Sequence, residues 1–314
     1  MTRLRIGTRG SKLALAQAHT VESALRARDP SIEVEIVQVQ TSGDRIQDVP
    51  LGPSLGQAFF TKELEDALLD GRIDVAVHSC KDLGTVLPAG LLIAAVPERE
   101  DPRDALVGPR SGPRALPNGA RVGTSSPRRR RFLAAMRPDL QLADVRGNVP
   151  TRVAAVDEGR FDAVVLAVAG LRRVGLEGRI NDVLEASAML PAAGQGALAI
   201  EARQDDPRTT GVVAALECVS ARAEITAERA CLRRLGAGCQ APVGALGRVR
   251  GGELRLRAAV AVSHAIESVD LVSTPEGAEA LGTFAAEGLL QALGMTTLRG
   301  VAWTESEASR TAEP

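Results

Sequence analysis

Tyrosine is absent from this 314-residue chain, tryptophan occurs once and phenylalanine five times. A core must therefore be assembled from Ala, Leu and Val, and there is little to stack against nucleobases, which argues against a single-stranded nucleic-acid binder. Lysine is almost missing too: of 38 basic residues only Lys12, Lys62 and Lys81 are lysines, and the rest are arginines. No stretch approaches the ~18–20 unbroken apolar residues of a membrane span. The opening "MTRLRIGTRG" lacks the apolar segment of a secretory signal. Four cysteines occur, at 80, 218, 231 and 239, none in C-x-x-C spacing, which argues against zinc and thioredoxin-type chemistry. These absences predict a cytoplasmic protein, off the membrane, with reduced thiols.

What is present is unevenly placed. The net charge is −1, yet residues 121–160 hold nine arginines, including the run Arg128–Arg131. A local positive field in a neutral protein points to a specific anionic ligand; the bland alternative is a solvated helix face. Over the first 215 residues strand and helix signals alternate. "LRIGT", "IEVEIVQV" and "IDVAVHS" read as strands. Ser11 caps a helix with Ala14, Ala18, Val21 and Leu25 on one face, and "FFTKELEDALLDG" reads as a helix with Phe60, Leu64, Ala67 and Leu68 together. The alternation predicts parallel sheets covered by helices. Two short echoes, "IGTRGSKLALAQ" with "VGTSSPRRRRFL" and "DGRIDVAVHS" with "EGRFDAVVLAVAG", suggest two related lobes. Beyond residue 215 come a helix over 223–235, two strands, and a helix started by Thr274 and Pro275 with Leu281, Phe284, Ala285 and Leu289 inward.

Chemistry concentrates in three places. In "VGTSSPRRRR" a strand ends at Thr124, Ser125 or Ser126 can cap, and Pro127 suits the first helical position. Four arginines then open the helix, the wrong charge for its positive end unless an anion sits there. In "DVAVHSCKDLG" Lys81 and Asp82 fall just past a buried strand, at the edge where α/β sheets bind ligands. A helix-capping Asp with a solvated Lys is the plainer alternative there. His78, on the strand itself, reads as a hydrogen-bonded core residue. Cys231 lies inside a helix and reads as packing. Cys239, after "LGAG", is either a small hydrophobe in a tight loop or a thiol held out for chemistry.

These segments together resemble the porphobilinogen deaminase family. The resemblance is carried by "IGTRGSKLALAQ", "FTKELEDALLDGRIDVAVHSCKDL", "PEREDPRDAL", "VGTSSPRRRR", "VRGNVPTR", "DAVVLAVAGLRRVGL", "LPAAGQGALAIEAR" and "TAERACLRRLGAGCQAPVGA", in family order over residues 5–245. It implies two type II periplasmic-binding-protein-like α/β domains, residues 1–98 with 194–214 and residues 99–193, and a smaller C-terminal α+β domain, 215–314. It implies a dipyrromethane cofactor held by a thioether at Cys239. The reaction implied joins four porphobilinogen molecules head to tail with loss of ammonia, giving linear hydroxymethylbilane. Each pyrrole brings two carboxylates, which accounts for the arginines. By motif position Asp82 is the catalytic aspartate, bonding pyrrole N–H groups and stabilising an azafulvenium cation. Cys239, Lys81, Asp82, Thr124, Ser126, Arg128, Arg129, Arg146 and Gly147 would hold the cofactor. Arg9, Ser11, Arg146, Arg152 and Gln195 would hold substrate. The implied protein is a monomer and binds no metal.

Three positions depart from the family pattern. Gln57 replaces a lysine, Gly84 stands where proline is usual and would loosen the turn after Asp82, and Pro150 stands where glycine is usual. Other readings are a two-lobed solute-binding or ligand-sensing protein, which has no use for Cys239, and a catalytically dead relative, against which the retained Asp82 and Cys239 argue.

Overall fold

The computed structural model describes residues 3–41, 61–109, 112–238, 241–262 and 265–301. Gln57, Phe60 and Cys239 lie outside these described residues. Three sheets organise the described residues. The first has the order β2 (Glu33–Gln38), β1 (Arg3–Thr8), β3 (Val75–Ser79), β10 (Leu198–Arg203), β4 (Leu91–Ala95). The second has the order β7 (Gln141–Ala143), β6 (Arg121–Gly123), β8 (Ala163–Ala167), β5 (Asp104–Val107), β9 (Asp182–Leu184).

Neither sheet is purely parallel, contrary to what the strand–helix alternation suggests. β1 runs parallel to β2 and β3, but β10 is antiparallel to β3 and β4. β6 runs parallel to β7 and β8, but β5 is antiparallel to β8 and β9. The odd strand in each sheet is the one that arrives from the other sheet's stretch of chain, so no crossover helix sets its direction. Leaving it aside, both sheets share one order, second–first–third–last, so the two lobes are built alike.

The echoes in the sequence are structural. β1 leads to Ser11, which caps α1 (Lys12–Arg28) by accepting from the Ala14 N–H. β6 leads to Ser126, which caps α3 (Pro127–Met136; α2 is Lys62–Leu69) by accepting from the Arg129 N–H, with Pro127 in the first turn. At the other end of these strands, the Arg5 N–H donates to Asp74 and the Arg121 N–H to Asp162, both at 2.7 Å. Asp74 and Asp162 are the aspartates of "GRIDVAV" and "GRFDAVV". One pair of local solutions has been used twice.

The core is aliphatic, as the composition demands. Leu4, Ile6, Val21, Leu25, Val75, Val77 and Ile200 fill the first lobe. Phe132 and Phe161 are the aromatics packed into the second. The helices of that lobe include α4 (Val149–Asp157) and α5 (Val168–Arg173), and α6 (Pro207–Ala214) follows the return strand β10. The third unit packs α7 (Val219–Leu235) and α8 (Ala278–Ala292) on an antiparallel sheet of β11 (Val243–Arg250), β12 (Glu253–Val262) and β13 (Ala265–Ser273). Phe284 does not face inward: it is 63% exposed. The buried stripe of α8 is Leu281, Gly282, Ala285, Ala286 and Leu289, whose centre lies on the far side of the helix from Phe284. Small residues face α7 because a Cβ on Gly282 would overlap the Ala227 carbonyl.

A buried ionic hub joins the three units. Arg99, on the segment leaving the first sheet, donates to both carboxylate oxygens of Glu228 at 2.6 and 3.1 Å and to Glu224 at 3.1 Å. Its Nε donates to the Gln195 carbonyl. Glu228, fully buried, also accepts from the Gly194 and Gly247 N–H groups. Burial pushes the Glu228 carboxyl above the ordinary range despite Arg99.

Candidate active site

β3 carries apolar residues into the sheet and ends at Ser79, where a 3-10 turn over Cys80–Asp82 begins. Cys80 is buried under the turn, Lys81 is half-buried and Asp82 is exposed. Asp82 shares a cleft with Arg9, Ser11, Gln17, His78 and Ser79. Gln17 donates to the Ser79 hydroxyl at 2.7 Å. His78 is held against Glu201 at 3.0 Å with both groups buried, so it is the hydrogen-bonded core histidine the sequence suggested. Glycine at 84 leaves the following turn tethered: buried Arg229 donates to the carbonyls of Leu83 and Gly84. The expected loosening is offset by a cation from α7. Pro150 falls in the first turn of α4, where no helical N–H is lost.

The second lobe brings the arginines. Arg128 and Arg129 are almost fully buried, at 3% and 7% exposure. The misplaced charge at the start of α3 has an intramolecular partner, Asp104 at the start of β5. Arg128 donates to one of its oxygens at 2.7 Å, and Arg129 reaches the other from Nε and Nη2 at 3.0 and 2.8 Å. Burial alone would raise the Asp104 carboxyl, but the two guanidinium groups outweigh it and hold it well below the usual carboxylate range. Arg130 is spent on its own strand ends, donating to the carbonyls of Thr124 and Leu142. Thr124 is buried and its hydroxyl accepts from the Ser126 N–H at 3.3 Å. In the next loop Arg146 is exposed. Gly147 has φ 96°, a conformation that favours glycine, and its carbonyl accepts from Arg152 Nε at 2.7 Å.

Gln195 ties the two lobes. It is buried, donates to the Pro102 carbonyl and to Asp104, and accepts from Lys81 Nζ at 3.2 Å. Gly194 before it, at φ 76°, lets the return strand pass so close to Lys81 that a Cβ would sit 2.9 Å from the Lys81 nitrogen. The lobes thus converge on one electrostatic cluster. Lys81 is influenced by Asp82, Arg129, Asp104 and Arg128, and Arg152 by Arg129, Arg146 and Asp82. Five cations meet two carboxylates. Burial, with Arg129 and Arg128, brings the Lys81 ammonium down to about 8, although Asp82 and Asp104 oppose this. Burial, with Arg129 and Arg146, brings the Arg152 guanidinium down to about 10. A cluster that brings five cations together around two carboxylates can hold an anion carrying several carboxylates.

A family model described as "Porphobilinogen deaminase, dipyromethane cofactor binding domain" matches residues 4–211, and one described as "Porphobilinogen deaminase, C-terminal domain" matches residues 222–291. The chain belongs to the porphobilinogen deaminase family. A porphobilinogen deaminase of Roseiflexus sp. (strain RS-1) is 52% identical over 255 residues, covering 81% of this chain and 84% of that one. One of Pelobacter propionicus is 48% identical over 300 residues, covering 95% and 97%. Among solved structures, the VFT2 domain of Bordetella pertussis BvgS is 16% identical with a TM-score of 0.41, covering 68% of this chain and 85% of that one.

Cys239 lies outside the described residues, and α7 ends just before it, at Leu235, with Gly236 in the left-handed conformation. Sequence reasoning missed Asp104, Arg99 and Arg173, whose guanidinium donates to the Gly196 carbonyl at 2.7 Å. The stretch "PEREDPRDAL" reads as a charged crossover between lobes. That was a signal, but nothing local in it says which arginines those carboxylates meet.

Proposed function

We propose that the chain joins four porphobilinogen molecules head to tail, releasing ammonia, to give linear hydroxymethylbilane on a dipyrromethane held at Cys239. The observation that carries this is the charge cluster between the lobes: five cations around two carboxylates, one of them the exposed Asp82. A dipyrromethane has carboxylate side chains and pyrrole N–H groups, and this donor set fits both. When bound, it supplies the pyrrole carbon to which the next unit is joined.

Arg128, Arg129, Arg146 and Lys81, with Thr124 and Ser126 of one loop and Gly147 of the next, would hold its carboxylates. Arg9, Ser11, Arg146, Arg152 and Gln195 receive the substrate, with Lys81 assisting. Asp82 accepts hydrogen bonds from pyrrole N–H groups. Its carboxylate offsets the positive charge on the substrate as ammonia leaves. The working division of the chain is residues 1–98 with 194–214, 99–193 and 215–314, acting as a monomer in the cytoplasm. No helix among the described residues is long and apolar enough to cross a membrane.

Intact mass under denaturing conditions, followed by peptide mapping, tests the reading. An excess of two linked pyrrole units on Cys239 is expected. A mass still unmodified after incubation with porphobilinogen or preformed hydroxymethylbilane would sink it.

Lys81 adds a pH dependence. Its ammonium, brought down to about 8, loses its charge as pH rises through that value, and with it a contact for substrate carboxylates. The KM for porphobilinogen should therefore climb between pH 7 and 9.5. In Lys81→Arg, whose guanidinium stays protonated, the climb should be absent. Parallel profiles in the two proteins would remove Lys81 from substrate binding.

A further inference from the structure

Asp104 is the one fully buried carboxylate in the cation cluster. It has no exposure, and its side-chain bonds run to two arginines of the cluster and to the glutamine between the lobes: Arg128 on one oxygen, Arg129 and Gln195 on the other. The backbone completes the frame. Arg128 donates to the Leu190 carbonyl at 2.6 Å and Arg129 to the Val165 carbonyl at 3.0 Å. Two long side chains are thereby fixed at both ends, with N–H donors to spare; Arg128 Nε is buried and has no partner among the described residues. Gln195 extends the frame across to Lys81.

We propose that Asp104 is a positioning residue for the polycarboxylate cleft: it fixes Arg128, Arg129 and, through Gln195, Lys81 in their binding geometry before any pyrrole carboxylate arrives. It does so at the cost of one unit of positive charge. An arginine pair with no such anchor would repel, spread and lose rotamer freedom on each binding event. Asp104 itself touches no ligand. The proposal rests on the functional reading above, because it takes the arginines to face pyrrole carboxylates.

The test compares Asp104→Asn and Asp104→Glu in the full-length chain, made without pyrroles. Asparagine keeps the size and loses the charge; its amide nitrogen also meets a guanidinium N–H. Glutamate keeps the charge and shifts it by one methylene. Covalent loading from preformed hydroxymethylbilane is followed by intact mass, with thermal unfolding measured alongside. Asp104→Asn should load at least about tenfold more slowly than wild type, with Asp104→Glu between the two. Inorganic sulfate, supplying the missing negative charge, should raise the Tm of unloaded Asp104→Asn more than that of unloaded wild type. Loading of Asp104→Asn at the wild-type rate, or faster than Asp104→Glu, would show a packing role and overturn the proposal; so would equal sulfate shifts. If Asp104→Asn gives no soluble protein, Asp104→Glu decides: slowed loading at a near wild-type Tm supports positioning, and wild-type loading refutes it. Failure of the wild-type chain itself to load would count against the functional reading instead.

Discussion

Asp82→Asn is expected to fold, to take up its dipyrromethane and to lose most of its activity. Asp82 is exposed at the end of a 3-10 turn whose backbone is set by Cys80 packing beneath it and by Arg229 gripping Leu83 and Gly84. Removing its charge leaves those contacts intact, so stability should move by no more than about 0.5 kcal/mol. What is lost is the one exposed carboxylate in a field of five cations, which on the proposed reading faces the positive charge that develops on the substrate. Losing one such electrostatic contact costs roughly 10²–10³ in kcat. The amide still accepts a hydrogen bond from a pyrrole N–H, so KM should change less than kcat. Turnover near the wild-type rate would take Asp82 out of the chemistry.

The largest effect on stability is expected at Arg99, far from the reacting atoms. Arg99→Met leaves Glu228 fully buried with two backbone N–H donors and no cation. Breaking a buried pair in this way costs about 3–5 kcal/mol, enough to unfold a large share of a marginally stable protein. The sign of the pH dependence follows from Glu228. Its carboxyl is already held above the ordinary range by burial, and loss of Arg99 pushes it further up. A raised carboxyl contributes stability that is present below its unfolded value and lost as pH rises through the folded one. The variant should therefore be closest to wild type near pH 5 and fall behind toward pH 7 and above. Adding Glu228→Gln should recover part of the loss, since the uncompensated charge is then gone. Chemical denaturation of the three proteins at two pH values checks both points, and a single variant as stable as wild type at pH 7 would show that the hub contributes nothing.

Interactions that close within a few residues were legible in the chain. The absence of Tyr and scarcity of Phe dictated an aliphatic core. Ser11 and Ser126 announced their helices because a cap needs only the hydroxyl and the N–H three residues on. The repeated "GR-D" segments announced two related lobes for the same reason: the pattern that starts each strand is contiguous. Lys81 and Asp82 could be placed at a sheet edge because strand period and a following turn are local signals. Tertiary structure decided what depends on distant chain meeting distant chain. The direction of β5 and β10 follows from the route between lobes, which no strand encodes. Phe284 lies on the outer face because α7 presses on Gly282, Ala285 and Leu289, a choice helical period alone leaves open. The carboxylate that answers the arginines of α3 comes from 24 residues earlier for Arg128 and 25 for Arg129, and the glutamine that ties it to Lys81 from 91 residues later. Charge in a sequence announces that a partner is needed; only the folding of the backbone selects which one.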